Sequence, residues 1–471
     1  MLLLGLDLGT SSAKALLLDA AGAVLGEGAA GYAVASPRPG WAETDPEDWW
    51  RAAGLAVRRA VEGRADRVAA LGLSGQMHGV VLADAAGGPP RPAVLWPDLR
   101  AEREAEAWRT LAPALADGLG GPALPGMAGP ILRWLATHEP RTVAAARWAL
   151  QPKDWLRLRL TGVAATEPSD ASGTLLYDLG ADRWAGAVVE AMGVPGRLLP
   201  PVVASAASAG RLTAAAAAHL GLPEVPVAAG AADTAAAALG SGLLDPGTAQ
   251  LTVGSGAQLV VPLDRPALDP RRATRTYRAA APGRWYALAA VQNAGLALEW
   301  ALRVLGAGWD DAYAALAAVP PGAGGVTFLP HLTDPGLAGA WRGLRLHHDR
   351  AHLLRAALEG VAFAVREAAE ALAAAGHRTS PLRLAGGGST RAAWRQLLAD
   401  VLGTPLAALP TAAASARGAA LLAGVVAGTF ADAHDALRVA EPPGPAVRPL
   451  APDAYEEPYR RFREAGGQPS S

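Results

Sequence analysis

The chain opens on an apolar run, Leu2–Leu6, that reads as a buried strand. Gly9–Ser12 reads as a tight turn and Ala13–Leu18 as a second strand. After the Asp19-Ala-Ala-Gly22 turn a third strand is expected near Val24–Ala33. Together these predict an antiparallel meander at the start of a mixed α/β unit. Thr44-Asp-Pro-Glu47 then signals a helix, because Thr44 and Glu47 have capping-box spacing and Pro46 suits a first turn. Its inward face is expected to carry Trp49, Leu55, Val57 and Val61. Val68–Leu73 predicts another strand, ending at Ser74-Gly-Gln-Met-His-Gly79.

The second half repeats this opening. Gln250–Val253 predicts a strand, Gly254-Ser-Gly256 a tight turn and Gln258–Val261 a returning strand. Just before it, Val225–Ala229 and Gly230 lead to Asp233, which opens an Ala-rich helix ending near Gly240. Later, Leu382–Ala385 reads as a strand, Gly386-Gly-Gly-Ser389 as its terminal turn and Arg391–Leu402 as a helix. Two halves that each open on strand, glycine turn and strand imply a duplicated α/β unit around a central cleft. The boundary is expected near Gly242–Pro246, giving domains 1–242 and 243–471. Gln468–Ser471 reads as a frayed tail.

Composition narrows the class. At 471 residues the chain is too long for one ordinary core, and 51% hydrophobic against 18% charged residues is enough to bury two. Lys plus Arg is 42 and Asp plus Glu 43, a net charge of -1, which argues against nucleic-acid or anionic-membrane partners. Cysteine is absent, so disulfides, thiolate nucleophiles and Cys-based zinc sites are excluded. The N-terminus lacks a basic leader and no window reaches the roughly 18–20 apolar residues of a membrane span. A soluble, cytoplasmic protein is expected.

The candidate chemistry clusters at the predicted strand ends. Glycine turns let backbone N–H groups approach phosphate, and hydroxyls add donors. Gly9, Thr10 and Ser11 in one half and Gly254 and Ser255 in the other would clasp a triphosphate from two sides. Asp7 at a strand end could hold Mg2+ through water. Gly387 and Gly388 could lie against a flat adenosine, although the spacing is not a dinucleotide fingerprint. Gln76, Met77 and His78 offer polar groups beside a flexible apolar one, a mixture suited to a polyol. Asp233 fits either a helix N-cap or the base that phosphoryl transfer to a hydroxyl needs. Trp41 and Trp96 fit core packing or sugar stacking.

Taken in order along the chain, these pieces resemble the FGGY carbohydrate kinases, most closely their xylulokinase branch. The likeness runs from Leu4 to about Gly424. It rests on Gly5-Leu-Asp-Leu-Gly-Thr-Ser11, Gly40-Trp-Ala-Glu-Thr-Asp-Pro46 with Trp49-Trp50, and Gly75-Gln-Met-His-Gly79. Pro152-Lys-Asp-Trp-Leu-Arg-Leu-Arg159, Ser169-Asp170 and Gly173-Thr174 continue it. Phe328-Leu-Pro330, Leu358-Glu-Gly360, Gly386-Gly-Gly388 and Trp394-Arg-Gln396 complete it. The resemblance implies two RNase H-like domains of the actin-like ATPase fold, closing over ATP and a small-molecule sugar such as D-xylulose. It implies Asp233 as general base, Mg2+ and phosphate contacts around Asp7, Thr10 and Lys14, and sugar contacts on Gln76, Met77, His78 and Asp233. Adenosine would meet Gly387 and Gly388. Departures from the family pattern are a shortened 332–339 loop, Pro97 between Trp96 and Asp98, Ile131 in place of lysine, and Gly-Ser-Gly at the second phosphate turn. The sequence leaves oligomeric state open, a homodimer included.

Overall fold

The computed structural model describes residues 1–333, 337–410 and 413–466. Residues 334–336 of the short loop and the 468–471 tail lie outside them. The apolar opening forms strand β1 (Leu2–Leu8), followed by β2 (Ser12–Asp19) and β3 (Val24–Gly31) in the expected antiparallel meander. Side chains of a strand alternate between faces. Accordingly Leu2, Leu4, Leu6 and Leu8 enter one apolar cluster while Leu3 enters another on the opposite side. Coverage on both faces explains why β1 is a continuous hydrophobic run and not an alternating one.

Helix α1 (Pro46–Ala60) packs on the first cluster through Trp49 and Val57, with Val61 just beyond its end. Two details differ from the sequence reading. Asp45, not Thr44, caps the helix, its Oδ1 accepting from the Glu47 N–H at 3.0 Å. Thr44 instead sits in a short strand and donates to the Ala33 carbonyl. Leu55 is exposed, because it lies about 200° around the helix from Val57.

The first sheet gains β4 (Val68–Gly75), β5 (Ser208–Arg211), β6 (Pro226–Ala228) and β7 (Ala231–Ala232). Its order is β5-β6-β4-β1-β2-β3, with β7 also paired to β4. The helices that bear on the site are α2 (Pro152–Thr161), α3 (Pro168–Ser172) and α4 (Asp233–Gly240). The second sheet contains β8 (Ala249–Val253), β9 (Ala257–Leu263), β10 (Arg275–Arg278), β11 (Trp285–Val291), β12 (Leu382–Ala385), β13 (Leu406–Ala408) and β14 (Ala446–Val447). Its order is β10-β11-β9-β8-β12-β13-β14. The inner strands β3-β2-β1-β4-β6 and β11-β9-β8-β12-β13 share one plan, an antiparallel meander followed by parallel neighbours. The repeated pattern in the sequence is therefore a repeated sheet.

Helix α5 (Ala414–Val426) follows the second sheet's parallel strands but packs against β1, β4 and α4 of the first half. The contact is backbone-close. A Cβ on Gly5 would stand 1.9 Å from the Ala416 carbonyl oxygen, and one on Gly418 the same 1.9 Å from that of Ala236. Only glycine permits such an approach. No helix among the described residues is long and apolar enough to cross a membrane.

Candidate active site

Parallel strand pairing gathers the first half's polar residues at one edge. Asp7 near the carboxyl end of β1 is in register with Ser74 of β4, and Ser74 with Ala231 of β7. The chain then turns straight into α4, whose first residue is Asp233. Ligands in open α/β sheets bind beyond such carboxyl ends, where connections diverge and leave a crevice.

Asp233 is not the helix cap; that position belongs to Ala232. Its Oδ1 accepts from the Thr234 N–H at 2.6 Å and from the Thr234 hydroxyl at 3.2 Å. Oδ2 has no partner among the described residues. Burial, reinforced by the neighbouring Asp7 charge, lifts the Asp233 carboxyl to about 7. Burial raises Asp7 as well, opposed by the Ser74 hydroxyl, which donates to its Oδ1 at 2.5 Å, and by Lys14 directly across the β1–β2 ladder. Thr234 also donates to Gln258 Oε1 at the start of β9 (3.3 Å), so Asp233 stands where the two halves meet.

The first glycine turn is tightly held. The Gly9 N–H donates to the Ser12 carbonyl at 3.0 Å, while the Gly9 carbonyl accepts from the Tyr32 hydroxyl and from Gln76 Nε2. Trp96 Nε1 donates to Thr10 Oγ1 at 2.9 Å. Ser11 is exposed, as is Lys14. Gln76 itself is buried beneath the turn.

Met77 is buried, with its sulfur 4.0 Å from the Tyr286 hydroxyl. His78 has a left-handed backbone (φ 73), uncommon for a residue with a side chain and found most often where function demands it. Burial lowers its pKa to about 4, so the ring is neutral near pH 7. Nδ1 lies 2.8 Å from the Gly173 carbonyl. A carbonyl can only accept, so Nδ1 carries the proton and Nε2 keeps a lone pair for a hydroxyl donor. The Tyr277 ring of β10 is 6.0 Å from that of His78. Arg275, two residues earlier on the same face of β10, acts electrostatically on both His78 and Tyr277 and has no hydrogen-bond or ion-pair partner among the described residues.

In the second half, Thr252 of β8 pairs with Ala385 of β12, which sets the two glycine turns side by side. Gly254 donates to the Gly256 carbonyl at 2.8 Å. Gly386 takes a positive φ (85) and lies so close to Val253 that a Cβ would stand 2.4 Å from its carbonyl oxygen. Gly387 is instead exposed, and a Cβ there would meet nothing within 4 Å.

The structure thus brings Asp7, Thr10, Gln76 and Asp233 together at one sheet edge, and Gly254, Ser255, Gly387 and Gly388 together at the other. Trp41 packs against Trp134 with Arg100 over its ring, a structural role, while Trp96 is exposed beside Thr10. Ile131 is fully buried in apolar surroundings, and Asp98 is buried holding Arg100 and the Ala42 N–H. Sequence reasoning passed over Ser74, Thr234, Arg275 and Tyr277. Ser74 and Thr234 adjoin residues that were singled out. Arg275 and Tyr277 carry no local signal, since they reach the site from the other half of the chain.

Comparison with known proteins decides what this architecture is. The model of the N-terminal domain of the FGGY family of carbohydrate kinases matches residues 2–240, and that of its C-terminal domain matches residues 249–427. The chain belongs to the FGGY family of carbohydrate kinases. This FGGY kinase is 34% identical to the xylulose kinase of Escherichia coli (strain K12) over 86% of its own length and 85% of that protein. It superposes on a crystal structure of a xyloylose kinase from Brucella ovis with a TM-score of 0.91 at 35% identity, covering 99% of this chain and 98% of the other. The xylulose kinase of Rhodospirillum rubrum gives a TM-score of 0.89 at 30% identity, over 99% and 98%. The FGGY kinase therefore has the two-domain actin-like ATPase fold and acts, as its family does, on a sugar with ATP.

Proposed function

We propose that this FGGY kinase transfers the γ-phosphoryl group of ATP to the terminal hydroxyl of D-xylulose, with Asp233 as general base. The observation that carries the reading is the Asp7–Asp233 pair at the junction of the halves, with Asp233 lifted to about 7. A base works best when its pKa lies near the working pH. The sugar oxygen attacks the γ-phosphorus in line, its proton passes to Asp233, and the bond to the β-γ bridging oxygen breaks to release ADP. Neutral His78 accepts a sugar hydroxyl on Nε2, Met77 packs against carbon and Thr10 lines the first phosphate turn. Gln76, expected from the sequence at the sugar, is buried with its Nε2 on the Gly9 carbonyl and supports that turn. Ser11 and Lys14 meet phosphate on one side and Ser255 on the other, with adenosine along Gly387 and Gly388. Gly9 and Gly254, whose N–H groups bond within their own turns, shape those turns and leave no backbone donor of their own for phosphate. D-xylulose is favoured by the relatives that bear its name, and the neighbouring Met77 and His78 suit a polyol in general.

The donor set at Asp7 fits Mg2+. One carboxylate oxygen is already engaged by Ser74, and the described residues contain no group of three or more His, Asp or Glu able to hold a metal. A cation that keeps several waters and takes one or two carboxylates beside phosphate oxygens matches that supply. When bound, Mg2+ would neutralise charge on the transferring phosphate. The domain division proposed is 1–242 and 243–471, supported by the first sheet ending at β7 and the second beginning at β8.

The test is ADP release by the purified protein with Mg2+ and ATP, offering D-xylulose, ribulose, glycerol, gluconate or no sugar. Stimulation chiefly by D-xylulose is expected. A stronger response to gluconate or glycerol would overturn the sugar assignment, and no response to any sugar would overturn the kinase reading.

A further inference from the structure

Apart from the Gly173 carbonyl that sets the His78 ring, the Pro152–Arg159 and Ser169–Thr174 segments take no part in the chemistry above, yet they hold a dense cluster of buried charges. Lys153, Asp154 and Arg157 of α2 meet Glu167 and Asp170 around α3, all of them fully buried. Lys153 Nζ is 2.7 Å from both Asp154 and Asp170 and 3.3 Å from Glu167, and Arg157 is 2.8 Å from Asp154. Burying such a group of charges is expensive, and a packed apolar cluster of the same volume is often as stable or more so. Stability alone does not account for it.

What the network does is fix the segment that ends at Asp233. Arg157 Nη1 donates to the Ala229 carbonyl at 2.6 Å, at the start of that turn. At its end the Ala232 N–H, one residue before Asp233, donates to Ser169 Oγ at 2.9 Å. The Ser169 hydroxyl is in turn oriented by donating to the Glu167 carboxylate at 2.7 and 2.8 Å, and Glu167 is held by the Ser205 hydroxyl and two backbone N–H groups. From the same short α3, Ser172 Oγ accepts from the Arg278 N–H of β10 at 3.1 Å, and the adjoining Gly173 carbonyl fixes the His78 ring.

We infer that Ser169 is a positioning residue for Asp233, and that α3 is the piece against which the base, His78 and β10 are aligned. The inference rests on the reading of Asp233 as the base. Displacing a reacting group by about 1 Å can cost on the order of 100-fold in rate. Removing the one acceptor for the Ala232 N–H frees the backbone next to Asp233 to shift by such amounts.

The experiment is a double-mutant cycle measured as kcat and KM. Ser169→Ala is expected to lower kcat by about tenfold or more, with the KM values for sugar and ATP within about twofold of the parent. Ser169→Thr, which keeps the hydroxyl, should retain parental kcat. In the Asp233→Ala background, assayed at raised enzyme concentration, Ser169→Ala should cause no further loss, because its effect passes through the missing carboxylate. Should Ser169→Ala fail to fold, Ser169→Cys takes its place with the same expectation, since a thiol of similar size is a poor acceptor. Parental kcat in Ser169→Ala or Ser169→Cys would overturn the inference. So would an equal fold-loss with and without Asp233, which would mark a merely structural role. Failure of the base reading shows separately, as near-parental turnover in Asp233→Ala alone.

Discussion

Replacing Asp233 by asparagine should damage activity and strengthen the fold at once. The carboxyl rises from 3.8 to about 7, chiefly through burial. At 1.36 kcal/mol per pH unit that is about 4 kcal/mol of strain on the ionised form, which solvent screening at this half-buried site reduces to about 2 kcal/mol. The sign follows from proton binding. Between pH 3.8 and about 7 the folded state keeps a proton that the unfolded state has lost, so stability falls as pH rises through that window. The neutral amide of the variant would carry no such cost. Asp233→Asn should therefore gain about 4–8 °C in Tm at pH 8, for a domain of this size. The gain should shrink steadily toward pH 5. In the same preparation turnover should fall by about 10² to 10⁴, the usual contribution of a general base. Scanning calorimetry at pH 5, 6, 7 and 8 beside coupled ADP release measures both. A variant with lowered Tm, or with a gain independent of pH, would refute the account of Asp233 as a desolvated carboxylate, and near-parental turnover would refute its role.

Further outcomes follow from other parts of the site. In the parent enzyme, with MgATP kept saturating, kcat/KM for the sugar should fall about tenfold per pH unit below about 7, as protonation removes the base; a flat profile from pH 5 to 8 would contradict this. His78→Ala should raise the sugar KM well above any rise in the ATP KM, and equal rises in steady-state assays would make His78 structural. Gly387→Val should fold with unchanged Tm, because a Cβ there meets nothing within 4 Å, yet should raise the ATP KM by filling the open space beside the turn; unaltered ATP KM would remove Gly387 from the nucleotide site. Gly5→Ala should cost about 1–3 kcal/mol in denaturant unfolding, since the added methyl meets the Ala416 carbonyl at 1.9 Å.

By itself the sequence determined the elements and their repetition. The apolar run at Leu2, the glycine turns at Gly9 and Gly254 and the punctuated strand ends are local signals, and β1, β2, β3, β8, β9 and β12 formed where they were expected. Helix details were less secure, because the abundance of alanine blurs which face is apolar; Leu55 and the cap at Asp45 follow from rotation and backbone geometry that a few residues do not fix. Asp7 and Asp233 were visible as carboxylates at strand ends, but their proximity was not. It arises from β7 pairing with β4 and β4 with β1, contacts between residues far apart in the chain. The lifted pKa of Asp233 exists only once folding has removed water and brought Asp7 near. The same holds for the Nδ1 tautomer of His78, set by the Gly173 carbonyl, and for Arg275 and Tyr277, delivered by a strand of the other half. Periodicity and turn chemistry are written residue by residue. Charge environment, tautomer and the alignment of a base are properties of neighbours in space, and only the tertiary structure supplies those.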